Sequence, residues 1–275
     1  MRGSTGLAAL AVSLLLTTPA YAANGVYDLQ IDGNTAKADI SIGSVGATLT
    51  LHFENVVGLS AQNLGLSAQV IDPLAPGFLA RLGNGVSLPA AFPLVVKISP
   101  PASGGLSFSG TVDIELHTHN LQYTIGSPLR LFSAPDGGNF TDVTTFVAAG
   151  SVRSGGSKGS FSEFIIAADV RPLASVISGK YAKLSSLINQ NAASMGGTLS
   201  SELASLYNAS ANAYANGNLV AAIQYLEAFE DRVRSASGTQ LPDVWRSSGD
   251  LVNVAGLLRA ASSTLRYSLA LASNA

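Results

Sequence analysis

Two histidines separated by a single residue, His117 and His119, stand in a stretch of β character. On a strand that spacing puts both imidazoles on one face, where they could share a metal ion. His52 and Glu54 repeat the spacing in a second β-like stretch. If the two strands pair in register, His52, His117, His119 and Glu54 would make a site of three imidazoles and one carboxylate. The same residues also alternate with Leu51, Phe53, Ile114 and Leu116, as the wet outer face of an antiparallel sheet requires with no metal at all.

Other oxygen and nitrogen donors carry less. Asp136-Gly137-Gly138-Asn139 with Asp142 gathers two acids and an amide, the donor type that holds calcium, although a calcium loop brings more carboxylates. Turn geometry accounts equally for Asp and Gly there. A serine-type hydrolase needs a histidine and an acid brought to its nucleophile, and the helical second half of the chain has no histidine. No glycine-rich phosphate loop follows a strand and opens a helix. Glu54, Glu115 and Glu163, all in β-like stretches, are the carboxylates that could meet in space for glycoside cleavage. The expectation is a non-catalytic protein without a cofactor.

The elements that position these residues fall into two halves. From Asn24 to about Asp169, short β-rich segments alternate with Gly, Pro, Asn and Asp, and helical periodicity is missing. The first hairpin is expected over Tyr27 to Ile42, turning at Asp32-Gly33-Asn34. Further strands are expected at 47–57, 66–71, 94–99, 110–118 and 129–133. A last pair, 143–153 and 160–169, would be joined by the loop Ser154 to Gly159. Eight or nine strands without intervening helices favour an antiparallel β-sandwich of the immunoglobulin-like kind.

At Arg171-Pro172 the pattern changes, and apolar residues begin to recur at three and four. Tyr181, Leu184 and Ile188 share one face; Leu203, Leu206 and Ser210 a second; Ile223, Leu226, Phe229 and Val233 a third, interrupted by Glu230; Leu251, Val254, Leu258, Leu265 and Leu269 a fourth. Breaks fall at Met195-Gly196-Gly197, Asn216-Gly217-Asn218 and Ser237-Gly238. Pro242 would occupy the first turn of the last helix, with Trp245 just inside it as a packing anchor. The fold class is therefore α+β in two domains: a β-sandwich over 23–170 and a four-helix bundle over 171–275.

Residues 1–22 carry the three zones of a signal peptide: Arg2, the apolar run Leu7 to Leu16, and Ala20-Tyr21-Ala22 before the cleavage point. A run of that length is about half of what crosses a bilayer. The expected location is periplasmic or secreted. The chain has no cysteine, so neither disulfides nor a lipoprotein-type anchor is available to it. Its net charge is −2 and only 12% of its 275 residues are charged, which gives no basic field for nucleic acid or anionic lipid. The expected partners are an envelope or extracellular protein or a glycan, with no nucleic acid and no membrane anchor; the oligomeric state stays open.

The run Ala215-Asn216-Gly217-Asn218-Leu219-Val220-Ala221-Ala222-Ile223-Gln224-Tyr225-Leu226-Glu227-Ala228-Phe229, followed by Val233 and Gly238, resembles the central helix pair of FIMAH-type modules. The resemblance spans Leu199 to Gly238. Such modules accompany secreted bacterial hydrolases and adhesive proteins, which implies an accessory or binding role outside the cytoplasm. The whole chain also resembles an uncharacterised family of exported proteobacterial proteins. Three readings follow: a non-catalytic binding or structural module of the envelope, a periplasmic metal or small-ligand binder using the strand histidines, and a secreted hydrolase accessory protein.

Overall fold

A computed structural model describes residues 25–148 and 150–274; the expected signal peptide lies outside them. The first half is built from β1 (Val26–Asp32), β2 (Thr35–Ile42), β3 (Val45–Val57), a one-turn helix α1 (Ala61–Leu64), β4 (Leu66–Val70), α2 (Pro76–Leu79), β5 (Val86–Ser87), β6 (Leu94–Ile98), β7 (Ser107–Gln122), β8 (Leu129–Ala134), β9 (Thr141–Asp142), β10 (Thr144–Ala148), β11 (Ser151–Lys158) and β12 (Glu163–Asp169). The second half holds α3 (Leu173–Gln190), α4 (Ala192–Met195), α5 (Gly197–Ala215), α6 (Leu219–Ala236), a short strand β13 (Val244–Arg246) and α7 (Val254–Ser273).

The strands form two antiparallel sheets. The larger runs β1-β2-β3-β7-β11-β10 with β13 added to β7, and the smaller runs β4-β6-β12-β8-β9 with β5 added to β12. The first hairpin closes as its sequence demands, with Asp32 opposite Thr35 and Gly33 at φ 54°, a turn conformation that costs glycine nothing. Alternate residues of both sheets meet in one core: Ala38, Ile40, Leu49, Leu51, Phe53, Val112, Ile114, Leu116 and Val152 from the larger, Leu94, Val96, Leu131, Phe164 and Ile166 from the smaller. Burial of this many apolar side chains, each worth roughly 1.5 to 3 kcal/mol, is the main force holding a fold that has no disulfide.

One expectation fails in an informative way. Segments 143–153 and 160–169 do not form a hairpin around a glycine-rich loop. The loop residues Ser154 to Lys158 continue β11, which pairs with β10 on one side and β7 on the other, while β12 joins the opposite sheet. Glycine is required inside this strand because the Phe146 ring and the Val143 carbonyl occupy the space that a Cβ would take at Gly155 and Gly156.

The four long helices bury a second core that includes Ile177, Tyr181, Leu184, Leu203, Leu226, Phe229, Val233, Leu258, Leu265 and Leu269. The expected breaks at Gly196, Gly217 and Gly238 all lie between helices. The start of α7 differs from expectation: it begins at Val254, not near Pro242. Trp245 sits in β13, opposite Phe108 of β7, with its ring 5.4 Å from Phe108 and 5.0 Å from Phe161. It is a packing anchor against the sheets, delivered by a strand instead of a helix.

Polar clasps join the halves. Asn253, fully buried, accepts from the Gly256 amide at 2.7 Å as the cap of α7 and donates to the Gly110 carbonyl at 2.6 Å. Lys180 of α3 pairs with Asp142 of β9 at 2.6 Å and reaches Thr264 and Ser268 of α7. Thr264 in turn donates to the Thr144 carbonyl at 2.9 Å. Arg259 grips Glu54 with both terminal nitrogens, at 2.8 and 2.5 Å.

Candidate functional site: the outer face of the larger sheet

Because Ala36, Ala38 and Ile40 in β2, Leu49 and Leu51 in β3, Ile114 and Leu116 in β7 and Val152 in β11 turn into the core, the residues between them turn outward. Strand register aligns these into rows across the sheet. One row is Thr35, His52, Asp113 and Ser157; the next is Lys37, Thr50 and Glu115; the third is Asp39, Thr48, His117 and Arg153. Neighbours within and between rows hydrogen-bond. Thr35 Oγ1 lies 3.0 Å from His52 Nδ1, Ser157 donates to Asp113 at 2.5 Å, Thr48 donates to Asp39 at 2.8 Å, and His117 Nε2 lies 2.5 Å from Ser151 Oγ. The result is a broad polar platform of mixed charge whose one end is bounded by α7 at Glu54 and Gly110.

The three histidines expected to gather are divided by the register. His117 lies opposite Thr48, whereas His52 lies opposite Asp113, four residues away along β7. His117 and His119 are neighbours, with ring centroids 4.7 Å apart and planes at 59°. Among the described residues no three His, Cys, Asp or Glu side chains converge as a metal-holding group. Burial pushes His117 below the ordinary imidazole value, and the Arg153 and His119 charges act in the same direction against Glu115.

The other candidates have structural duties. Asp136 is exposed and pairs with Lys97 at 2.7 Å, while Asp142 serves Lys180 and the Thr144 amide and hydroxyl. Burial raises Glu54, but the Arg259 and Thr111 hydrogen bonds and the Arg259 charge outweigh it and hold the carboxyl below its usual range. Glu163 belongs to the smaller sheet and pairs with Arg81; only Glu115 stays on the outer platform.

Gly155-Gly156-Ser157-Lys158-Gly159 has the Gly-x-Ser-x-Gly spacing of a nucleophile elbow. Here it lies at the end of a strand, away from the strand-to-helix turn that an elbow needs. Its row contains Ser157, Asp113 and His52 in that order. The carboxylate stands between hydroxyl and imidazole, so the histidine is not placed to take the serine proton.

A sequence profile of a family of unknown function matches residues 10–273, so both sheets and the four long helices lie within it. The chain belongs to that family, DUF6689. No curated protein matches the DUF6689 chain in sequence. The long-range clasps of this fold were hidden in the sequence, although one left a trace: Lys180 interrupts the apolar face made by Ile177, Tyr181 and Leu184, and a lysine in such a position needs a buried partner.

Proposed function

We propose that this protein is an exported, non-catalytic binding module that presents the outer face of its larger sheet to an envelope or extracellular protein or glycan. The observation that carries this reading is the row structure of that face. Four adjacent strands hold Lys37, Asp39, Thr50, His52, Asp113, Glu115, His117 and Arg153 side by side on a rigid support, and polar groups fixed on paired strands are pre-organised for recognition. On this reading the two sheets act as an immunoglobulin-like sandwich. The four long helices act as a bundle that braces one end through Arg259, Asn253 and Lys180.

Export rests on the three zones of residues 1–22, and the resemblance of Leu199 to Gly238 to FIMAH-type modules favours an accessory role outside the cytoplasm. Among the described residues no helix is long and apolar enough to cross a membrane. The test is retention of the purified chain by cell-envelope fractions, compared with a Lys37→Glu/Arg153→Glu variant. Both side chains are exposed, so the variant keeps its fold and loses the charge pattern.

A further inference from the structure

We propose that His117 and His119 form a two-imidazole anchor for a late divalent transition metal, Cu(II) being the ion held best, with its remaining coordination positions open. This inference does not depend on the binding reading above. The strand places the two rings on the same face, and their centroids lie 4.7 Å apart. Two nitrogens each roughly 2 Å from a common ion are within the reach of rings so spaced, and planes inclined at 59° allow them to converge where a parallel stack would not.

The hydrogen-bond pattern leaves a liganding atom free in one of the two tautomers of His117. His117 Nε2 lies against Ser151 Oγ at 2.5 Å; with the ring proton on Nε2, the lone pair is on Nδ1, which has no partner among the described residues. An outer group fixing one ring nitrogen while the other faces the ion is the usual arrangement of a metal-binding histidine. His119 is exposed and makes no hydrogen bond among the described residues, so nothing must be broken for it to turn onto the ion. Imidazole donors favour Cu, Zn and Ni over the oxygen-seeking Ca and Mg, and Cu(II) heads the affinity order for a given nitrogen site. With no third His, Cys, Asp or Glu converging on the pair among the described residues, the other positions fall to water or to a donor from a bound molecule.

The test is titration of the purified chain with Cu(II), read by electron paramagnetic resonance and calorimetry. The expected result is one ion per chain with a nitrogen-ligand spectrum, loss of at least tenfold in affinity for His119→Ala and for His117→Ala, and roughly tenfold for Ser151→Ala, the usual range for an outer partner. His52→Ala should leave binding unchanged, because His52 stands opposite Asp113 and hydrogen-bonds Thr35. Absence of a stoichiometric nitrogen-bound ion, or binding that survives the double variant His117→Ala/His119→Ala with the same spectrum, overturns the proposal. Melting curves of each variant without metal distinguish lost ligands from lost fold.

Discussion

Asn253 holds the Gly110 carbonyl across 143 residues of sequence, at 2.6 Å, while its own side-chain oxygen caps the helix it begins. One amide thus fixes both the start of α7 and its seat on the sheet. The approach is close enough that a Cβ on Gly256 would meet the Gly110 carbonyl, and one on Gly159 would meet the Leu257 amide nitrogen. Small residues on both sides let backbone meet backbone here.

Asn253→Ala should therefore cost about 2 to 4 kcal/mol, about 1 for the lost cap and the rest for a buried carbonyl left without a donor. Asn253→Asp keeps the cap acceptor but sets a buried carboxylate oxygen against the Gly110 carbonyl, so at neutral pH it should be no more stable than Asn253→Ala. Urea unfolding of the three proteins checks the order.

Lys180→Met should destabilise by about 3 to 5 kcal/mol, because it leaves the buried Asp142 carboxylate without its cation. Burial already pushes the Lys180 ammonium below its ordinary value against the pull of Asp142. Adding Asp142→Asn to Lys180→Met should recover stability relative to the single variant. A double-mutant cycle measures the coupling.

The sequence was informative wherever local chemistry decides local structure. Asp32-Gly33-Asn34 specifies its turn, and the glycines at 196, 217 and 238 fall between helices, each at a positive φ that glycine adopts without steric cost. Face was readable too: Leu51 and Phe53 face in, His52 faces out. Register was not, since alternation fixes which side a residue takes but not which neighbour it meets. Irregularities between Phe53 and Asn55 and between Ser151 and Val152 shift the pairing further. Between Thr48 and Phe53 the pairing is unbroken, and that register alone sets His52 opposite Asp113 and apart from His117, with which its spacing groups it. Gly155 and Gly156 read as a loop because glycine weakens isolated strands, yet the Phe146 ring and the Val143 carbonyl demand them. Trp245 read as helical beside Pro242, and its pairing with Phe108 is a long-range contact that nothing local announces.

Lys158 makes no ion pair among the described residues, and burial, with Lys183 adding repulsion, pushes it down to about 8. A lysine depressed in the folded state binds its proton more tightly when unfolded, so stability should rise with pH between about 8 and the ordinary value of about 10.5. The full span corresponds to an upper bound on the order of 3 kcal/mol. Lys158→Met should be more stable than wild type at pH 7 and should flatten this alkaline rise. Unfolding curves at pH 7, 8.5 and 10 read both effects.

Binding by the outer face of the larger sheet is tested most directly by envelope retention measured as a saturation curve. Wild type should bind saturably, and Lys37→Glu/Arg153→Glu should bind at least tenfold more weakly with an unchanged melting temperature. Equal retention of the two proteins, or no saturable retention of wild type, would contradict a recognition role for this face.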